Sequence, residues 1–212
     1  MIKRTICVMM ICLLLTLWTA GSIIPGLARD EKLLLQCFNR YAETESFGVQ
    51  KSDYPLFSAQ LSAFFRHETD EANVQAFPFH DYEVTHLHDV RRLMDGIRTF
   101  SILCLIGAIV LITIFRRERF SLLPGFIAFL GLAAAIILFA VLDFNRIFTL
   151  LHELLFTNDL WLLNPQTDLL IALMPEGMFM YLARRVLYGI LPLLIAMLLV
   201  SLTSRKFILP RQ

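Results

Sequence analysis

Four long apolar runs divide the chain. They lie in residues 1–24 (with ICVMMICLLLTLW at its centre), 99–115, 120–142 and 186–203. A helix rises ~1.5 Å per residue, so about 20 apolar residues cross a hydrocarbon core of ~30 Å. Each run is long enough, the second only narrowly. Between the first two runs the apolar positions follow a helical period. In DEKLLLQCFNRYAETE (30–45), Leu33, Leu34, Cys37 and Tyr41 fall on one face. Residues 58–66 read as a second short helix with Ser58 as its N-cap. FGVQKSDYP (47–55) reads as a loop or short strand, and NVQAFPFH (73–80) as a short strand broken at Pro78. No internal repeat appears. The pattern predicts a mainly α fold: a four-helix transmembrane bundle with a small mixed extracytoplasmic cap.

Composition agrees with lipid as the solvent. Hydrophobic residues make up 57% of the 212 residues and mean hydropathy is +0.65, more apolar surface than a soluble chain of this size can bury. The formal net charge of +1 carries no nucleic-acid signature, and no nucleic-acid partner is expected. The placement of charge is more informative. Lys3 and Arg4 precede the first run; Arg116, Arg117 and Arg119 separate the second and third; Arg205, Lys206 and Arg211 follow the fourth. Positively charged short loops stay cytoplasmic. The expected order is therefore a transmembrane helix at 1–24, an extracytoplasmic cap at 25–98, a helix at 99–115, a cytoplasmic loop at 116–119, a helix at 120–142, an extracytoplasmic interfacial segment at 143–185, a helix at 186–203 and a cytoplasmic tail at 204–212. Arg184 and Arg185 oppose this order weakly. The first run reads as an uncleaved anchor rather than a signal peptide, because Ile23, Ile24 and Pro25 extend it past Ala20-Gly21.

Candidate chemistry is sparse. The four cysteines give no disulfide framework, and Cys37 reads as core packing. DYEVTHLHDVRRLMDGIR (81–98) runs into the second span. As a helix it places Glu83, His86, Val90 and Leu93 on one stripe, with Asp89 beside His86 and His88 facing away. As a strand it would align His86 and His88 as metal ligands; the helix is preferred because charges surround both and no β-branched run follows. DFNRIFTLLHELLF (143–156) is amphipathic, with Asn145, Thr149, His152 and Phe156 on one side and Ile147, Leu150, Leu151 and Leu154 on the other. His152-Glu153 lacks the second histidine of a zinc-protease helix, since Phe156 stands there. Trp161 reads as an interfacial anchor. Both His86 and His152 fall at junctions of cap and membrane, where a site would meet lipid headgroups and ester linkages.

EVTHLHDVRRL before a span, and LHELLFTNDLWLLNPQTDLLIALMP before the last span, resemble the bacterial lipoprotein intramolecular transacylases. The matching positions are Glu83, His86, Leu87, Asp89 and Val90, then His152, Phe156, Asn158, Asp159, Trp161, Asn164, Pro165, Thr167 and Asp168. Leu87 stands for the usual Met, Asn164 for Asp, and Gly177 where a bulkier or acidic residue is common. The resemblance implies a multi-pass protein of the bacterial cell membrane with cytoplasmic termini and its active site at the extracytoplasmic face. The implied substrate is a diacylglyceryl-modified lipoprotein held among membrane lipids. The implied reaction moves the sn-2 acyl chain to the α-amine of the N-terminal cysteine, with no cofactor and no metal. On that reading His86 and His152 are catalytic. Glu83 or Asp89 orients an imidazole, Asn158 donates to the oxyanion, and Asp159 and Asp168 support the site. Phe77, Phe79, Tyr82, Phe156 and Trp161 are expected to form a dry wall against the substrate. Two alternatives are a membrane metallohydrolase built on His86, His88 and Asp89, and a non-enzymatic scaffold or transporter subunit. Transport usually needs ionisable groups deep in the spans, and the four runs carry none there. Gly131 and Ala135 offer a small-residue packing face. The residues carry no signal of oligomeric state.

Overall fold

The computed structural model describes residues 2–70, 77–115 and 122–206. They form eight α-helices: α1 (Ile2–Arg29), α2 (Glu31–Tyr41), α3 (Tyr54–Phe65), α4 (Asp81–Phe115), α5 (Leu123–Leu142), α6 (Phe144–Leu155), α7 (Leu169–Leu173) and α8 (Glu176–Lys206). No strand occurs among the described residues. α1, α4 and α8 are long and apolar enough to cross a membrane, with mean hydropathy of 2.2, 2.4 and 2.4 over their best windows; α5 and α6 count as a fourth if the pair is one broken span. The protein is thus a mainly helical membrane protein. The helices overrun the apolar patterns that announce them. α4 has 35 residues, about 52 Å at ~1.5 Å per residue, because the polar 81–98 segment and the apolar 99–115 run share one helical register.

The chain divides into two compact units. One comprises residues 1–22, 98–144 and 186–212, the other residues 23–97 and 145–185. The first holds the apolar runs. Its small core joins Val8, Cys12, Phe126 and Phe129, while Phe100, Ile106, Leu138, Val141 and Leu199 stay exposed, as apolar side chains do when lipid is the solvent. The close approach in this unit is at Gly125: a Cβ there would lie 2.5 Å from the Val8 Cβ and 2.8 Å from the Thr5 carbonyl oxygen. The expected small-residue face is not the contact, since a Cβ on Gly131 meets nothing within 4 Å. The expected loop at 116–119 and residues 207–212 of the expected tail lie outside the described residues.

The second unit has the larger core, formed by Leu33, Leu34, Cys37, Phe38, Tyr54, Phe57, Leu61 and Phe64 with Leu87, Leu169, Leu173 and Met178. α2 starts where Asp30 accepts the Leu33 N–H at 3.0 Å, an N-cap satisfying one orphan donor. α3 starts at Tyr54, four residues before the expected cap: Pro55 occupies the first turn, and Ser58, inside the helix, donates to the Pro55 carbonyl. Proline has no N–H to lose there and its fixed φ suits a helix start. The stretch at 47–55 is not a strand. It is two 3₁₀ turns, Glu45–Phe47 and Lys51–Asp53. Gly48 closes the first in the left-handed region at φ 71°, and Asp53 accepts the Gln50 N–H at 2.8 Å. Thr44, buried between them, donates to the Val49 carbonyl and shares a hydrogen bond with the Tyr54 hydroxyl, both at 2.9 Å. Of the expected strand at 73–80, residues 73–76 lie outside the described set, and Phe77 to His80 lead into α4 as irregular chain. Apart from turns and irregular connections, the described residues of this second unit are helical. Cys37 is 1% exposed and burial pushes its thiol up to about 11, so it packs and does not act as a nucleophile.

Gly125→Ala is expected to destabilise the protein by about 1–3 kcal/mol, the usual cost of overpacking a close contact. Gly131→Ala is expected to leave stability unchanged. Thermal unfolding of the two variants in detergent measures the difference, and equal melting temperatures would contradict the assigned contact.

Candidate functional site

The first turns of α4 are set by Glu83. This side chain is fully buried. One carboxylate oxygen accepts the His80 N–H and the other accepts the Leu170 N–H, both at 2.7 Å. The first satisfies an orphan donor at the start of α4, the second one at the start of α7. Burial raises the Glu83 pKa, and the two backbone hydrogen bonds oppose that rise. Both Glu83 oxygens are therefore committed to backbone donors. His86 follows one turn later on the same stripe and is 6% exposed. Its Nδ1 is buried with no hydrogen-bond partner among the described residues, which is costly and uncommon in a settled core. Burial first, then the charge of His152, lower its pKa from 6.5 to about 4, against an opposing pull from Asp89. The imidazole is neutral at pH 7.

α6 brings the second histidine. The centroids of the His86 and His152 rings are 6.3 Å apart. His152 Nδ1 lies 2.7 Å from the Phe148 carbonyl oxygen. A carbonyl can only accept, so Nδ1 carries the hydrogen and Nε2 holds the free lone pair. Four rings surround this imidazole: Phe148 at 4.2 Å, Trp161 at 5.1 Å, Phe156 at 5.5 Å and His86. Phe156 also meets His86 edge-on at 5.1 Å, and Phe179 stands behind Phe148 at 5.1 Å. The opposite flank of α6 leaves Leu150, Leu151 and Leu154 exposed, so the face carrying His152 is turned away from most of the flank that seeks lipid. Beside Phe148 a cavity of about 310 Å³ opens, lined by Glu43, Asn145, Leu163, Pro165, Ile171 and Glu176 among others.

The supporting residues sort differently from their sequence roles. Asp89 acts on His86 through its charge, while its hydrogen bonds go elsewhere. It accepts from Asn158 Nδ2 at 2.9 Å and pairs with Arg92. Asn158 accepts the Leu160 N–H, so its carbonyl and one amide hydrogen are already engaged. Asp168, 3% exposed, accepts from the Tyr82 hydroxyl and the Thr167 hydroxyl at 2.7 Å and from the Asn164 N–H at 2.8 Å. Burial opposes its ionisation, but these hydrogen bonds outweigh burial and hold its pKa low. The same bond raises the Tyr82 hydroxyl to about 12. Asp159 is exposed and its backbone carbonyl accepts the Leu162 N–H; no contact ties its side chain to the histidines.

Of the expected dry wall, Phe156 and Trp161 reach the imidazoles. Phe77 and Phe79 instead pack on Phe57, at 5.3 and 5.5 Å, because the irregular chain before α4 turns them into the cap core. Tyr82 stacks on His80 and bonds Asp168. Phe148 and Phe179 went unread in the sequence, although Phe148 precedes His152 by four residues, the spacing at which helical neighbours meet. His88 packs on Phe64 at 5.0 Å, on a different face from His86. Among the described residues no group of three or more His, Cys, Asp or Glu side chains is placed to hold a metal ion.

Comparison with known proteins follows this geometry. The family model of the lipoprotein intramolecular transacylase Lit matches residues 7–179. No curated protein matches the chain. Among solved structures, the membrane-integral lipoprotein intramolecular transacylase Lit from Bacillus cereus is 19% identical with a TM-score of 0.74, covering 96% of both chains. Two forms of that protein with one histidine replaced also match. The alanine form gives 18% identity and a TM-score of 0.69 over 96% of this chain and 94% of that one; the arginine form gives 20% and 0.64 over 96% and 91%. At these identities the structures show a shared fold, and the family match covers most of the sequence: the chain belongs to the lipoprotein intramolecular transacylase family.

Proposed function

We propose that this protein moves the sn-2 acyl chain of a diacylglyceryl lipoprotein to the α-amine of its N-terminal cysteine, and that His86 and His152 carry the proton transfers. The observation that carries the reading is the pair of neighbouring imidazoles, one buried with an unpartnered nitrogen and the other with its tautomer set by a backbone carbonyl. An ammonium cannot attack an ester. An imidazole near its free-base form removes the proton at neutral pH. The amine nitrogen then bonds to the ester carbonyl carbon, the carbon–oxygen bond to the sn-2 glycerol position breaks, and the proton passes to that glycerol oxygen. His152 offers Nε2 as acceptor; His86, neutral and beside it, offers the second proton site. Two imidazoles this close disfavour double protonation, so one proton shuttling between substrate and pair suits the arrangement.

The reaction closes a medium ring through nitrogen, two cysteine carbons, sulfur, two glycerol carbons, the ester oxygen and the carbonyl carbon. Holding the substrate folded contributes up to roughly 7–11 kcal/mol through proximity. The aromatic lining excludes water, which otherwise takes the acyl group. The acidic cavity beside Phe148 suits the ammonium end of the substrate through Glu43 and Glu176. The exposed apolar residues of the spans support residence in a bacterial cell membrane, and the charge pattern of the short segments supports cytoplasmic termini and an outer-face site. Diacylglyceryl lipoproteins and membrane lipids are the partners this reading requires, with no cofactor.

Replacing His86 or His152 by Ala is expected to lower the yield of N-acyl lyso-form lipoprotein by about 10²- to 10⁴-fold, the usual range for a lost general acid–base. Mass spectrometry of the lipoprotein N-terminus reads the product, and full activity in either variant would remove that residue from the mechanism. A second expectation concerns stability. The unfolded chain protonates His86 near pH 6.5 and the folded chain only near pH 4. The native state binds fewer protons between these values, so this group's contribution is lost as pH falls from about 6.5 to about 4. His86→Leu is expected to flatten the melting temperature across that window. Equal pH slopes in the two proteins would contradict the buried, neutral imidazole.

A further inference from the structure

The loop between α6 and α7, residues 156–168, carries Phe156 and Trp161 onto the imidazoles, and both its ends are fastened to the same helix. Near its start Asn158 donates to Asp89 at 2.9 Å. At its end Asp168 accepts from Tyr82 at 2.7 Å. Tyr82 and Asp89 are seven residues apart on α4, two turns of one helix face, with His86 between them. Asp168 is 3% exposed, and its other hydrogen bonds, from the Asn164 N–H and the Thr167 hydroxyl, come from within the loop. The loop has no regular secondary structure, so its backbone makes no ladder that would hold it down. Besides Leu163, which packs on the core, and Trp161 on His152, its position over the rings rests on these two polar pins and on Phe156, which meets His86 at 5.1 Å and His152 at 5.5 Å.

We infer that this loop is a water-excluding strap, and that Asp89, Asn158, Tyr82 and Asp168 are positioning residues that decide whether the acyl group goes to the amine or to water. The inference rests on the transacylase reading and deepens it. With the strap seated, the amine is the nucleophile within reach of the sn-2 carbonyl. With the strap loose, water reaches the same carbonyl and its oxygen bonds to the carbon. The bond to the glycerol oxygen breaks, that oxygen takes the proton given up by the attacking water, and a free fatty acid leaves. Both routes pass through the same kind of oxyanion. Loss of an oxyanion donor therefore slows both alike, whereas loss of water exclusion shifts the ratio between them.

The test measures that ratio. The full-length protein in detergent is given a synthetic diacylglyceryl peptide, and mass spectrometry counts N-acyl lyso product and released fatty acid. Asn158→Ala and Tyr82→Phe are each expected to raise fatty acid relative to N-acyl product by about tenfold, the worth of one charge-assisted hydrogen bond. The exchange Asp89→Asn with Asn158→Asp keeps the bond with its donor reversed and is expected to restore the ratio. Thermal unfolding checks that each variant is folded; Tyr82→Phe, which removes a single hydroxyl from a residue 39% exposed, carries the test if Asn158→Ala does not fold. An unchanged ratio in folded variants, whatever their rate, or fatty-acid release that persists in the exchange variant, would overturn the strap. If the unaltered protein makes no N-acyl product, the transacylase reading fails, and this result is distinct from a failure of the strap alone.

Discussion

Glu83 holds the site together although it does none of the proposed chemistry. Its two oxygens accept the N–H groups of His80 and Leu170, so the start of α4 and the start of α7 are fixed by one buried side chain. A carboxylate is expensive to bury unless its lone pairs are used, and here backbone donors use them. The same carboxylate sets the register of the stripe on which His86 lies one turn later. It also anchors the helix that closes the loop carrying Phe156 and Trp161. Removing the side chain would leave the His80 and Leu170 N–H groups without this acceptor and free the chain at both places.

Around that anchor the two histidines differ in kind. His152 is half-exposed on an amphipathic helix, with its tautomer set by the Phe148 carbonyl four residues back. His86 is buried, and its Nδ1 has no partner among the described residues. A buried unpartnered nitrogen costs stability, and an enzyme that needs a neutral base has use for one. The rings at 4.2–5.5 Å around His152 lower the local dielectric, which strengthens any charge interaction that develops during reaction.

Much of this was legible in the sequence because it depends on local period. The apolar runs, the helical stripe through Glu83 and His86, and the amphipathic 143–156 segment all follow from residue spacing. Asp30 as the cap of α2 could have been read in the same way. What depends on distant contacts was not legible. Glu83 and Asp89 read as partners for an imidazole because they lie one turn from His86; Asp89 does act on His86 through its charge, but the hydrogen bonds each accepts from Leu170 and Asn158, more than sixty residues away, have no local signal. Phe77 and Phe79 sit close to His86 in sequence and face the cap core in space. The 47–55 stretch read as a loop or short strand because nothing local announces that Thr44 and Tyr54 will close it into turns. The close contact at Gly125 rather than Gly131 likewise depends on which helix lies opposite.

The account stands most directly on the acyl group never leaving its own substrate molecule. The decisive measurement mixes two synthetic diacylglyceryl peptides of different sequence, one with deuterated acyl chains and one without, in the presence of the protein. Mass spectrometry then reads the N-acyl product of each peptide. Intramolecular transfer predicts that each peptide carries its own label at unchanged total mass. Deuterated acyl chains on the unlabelled peptide, or products that have lost or gained one chain, would contradict it.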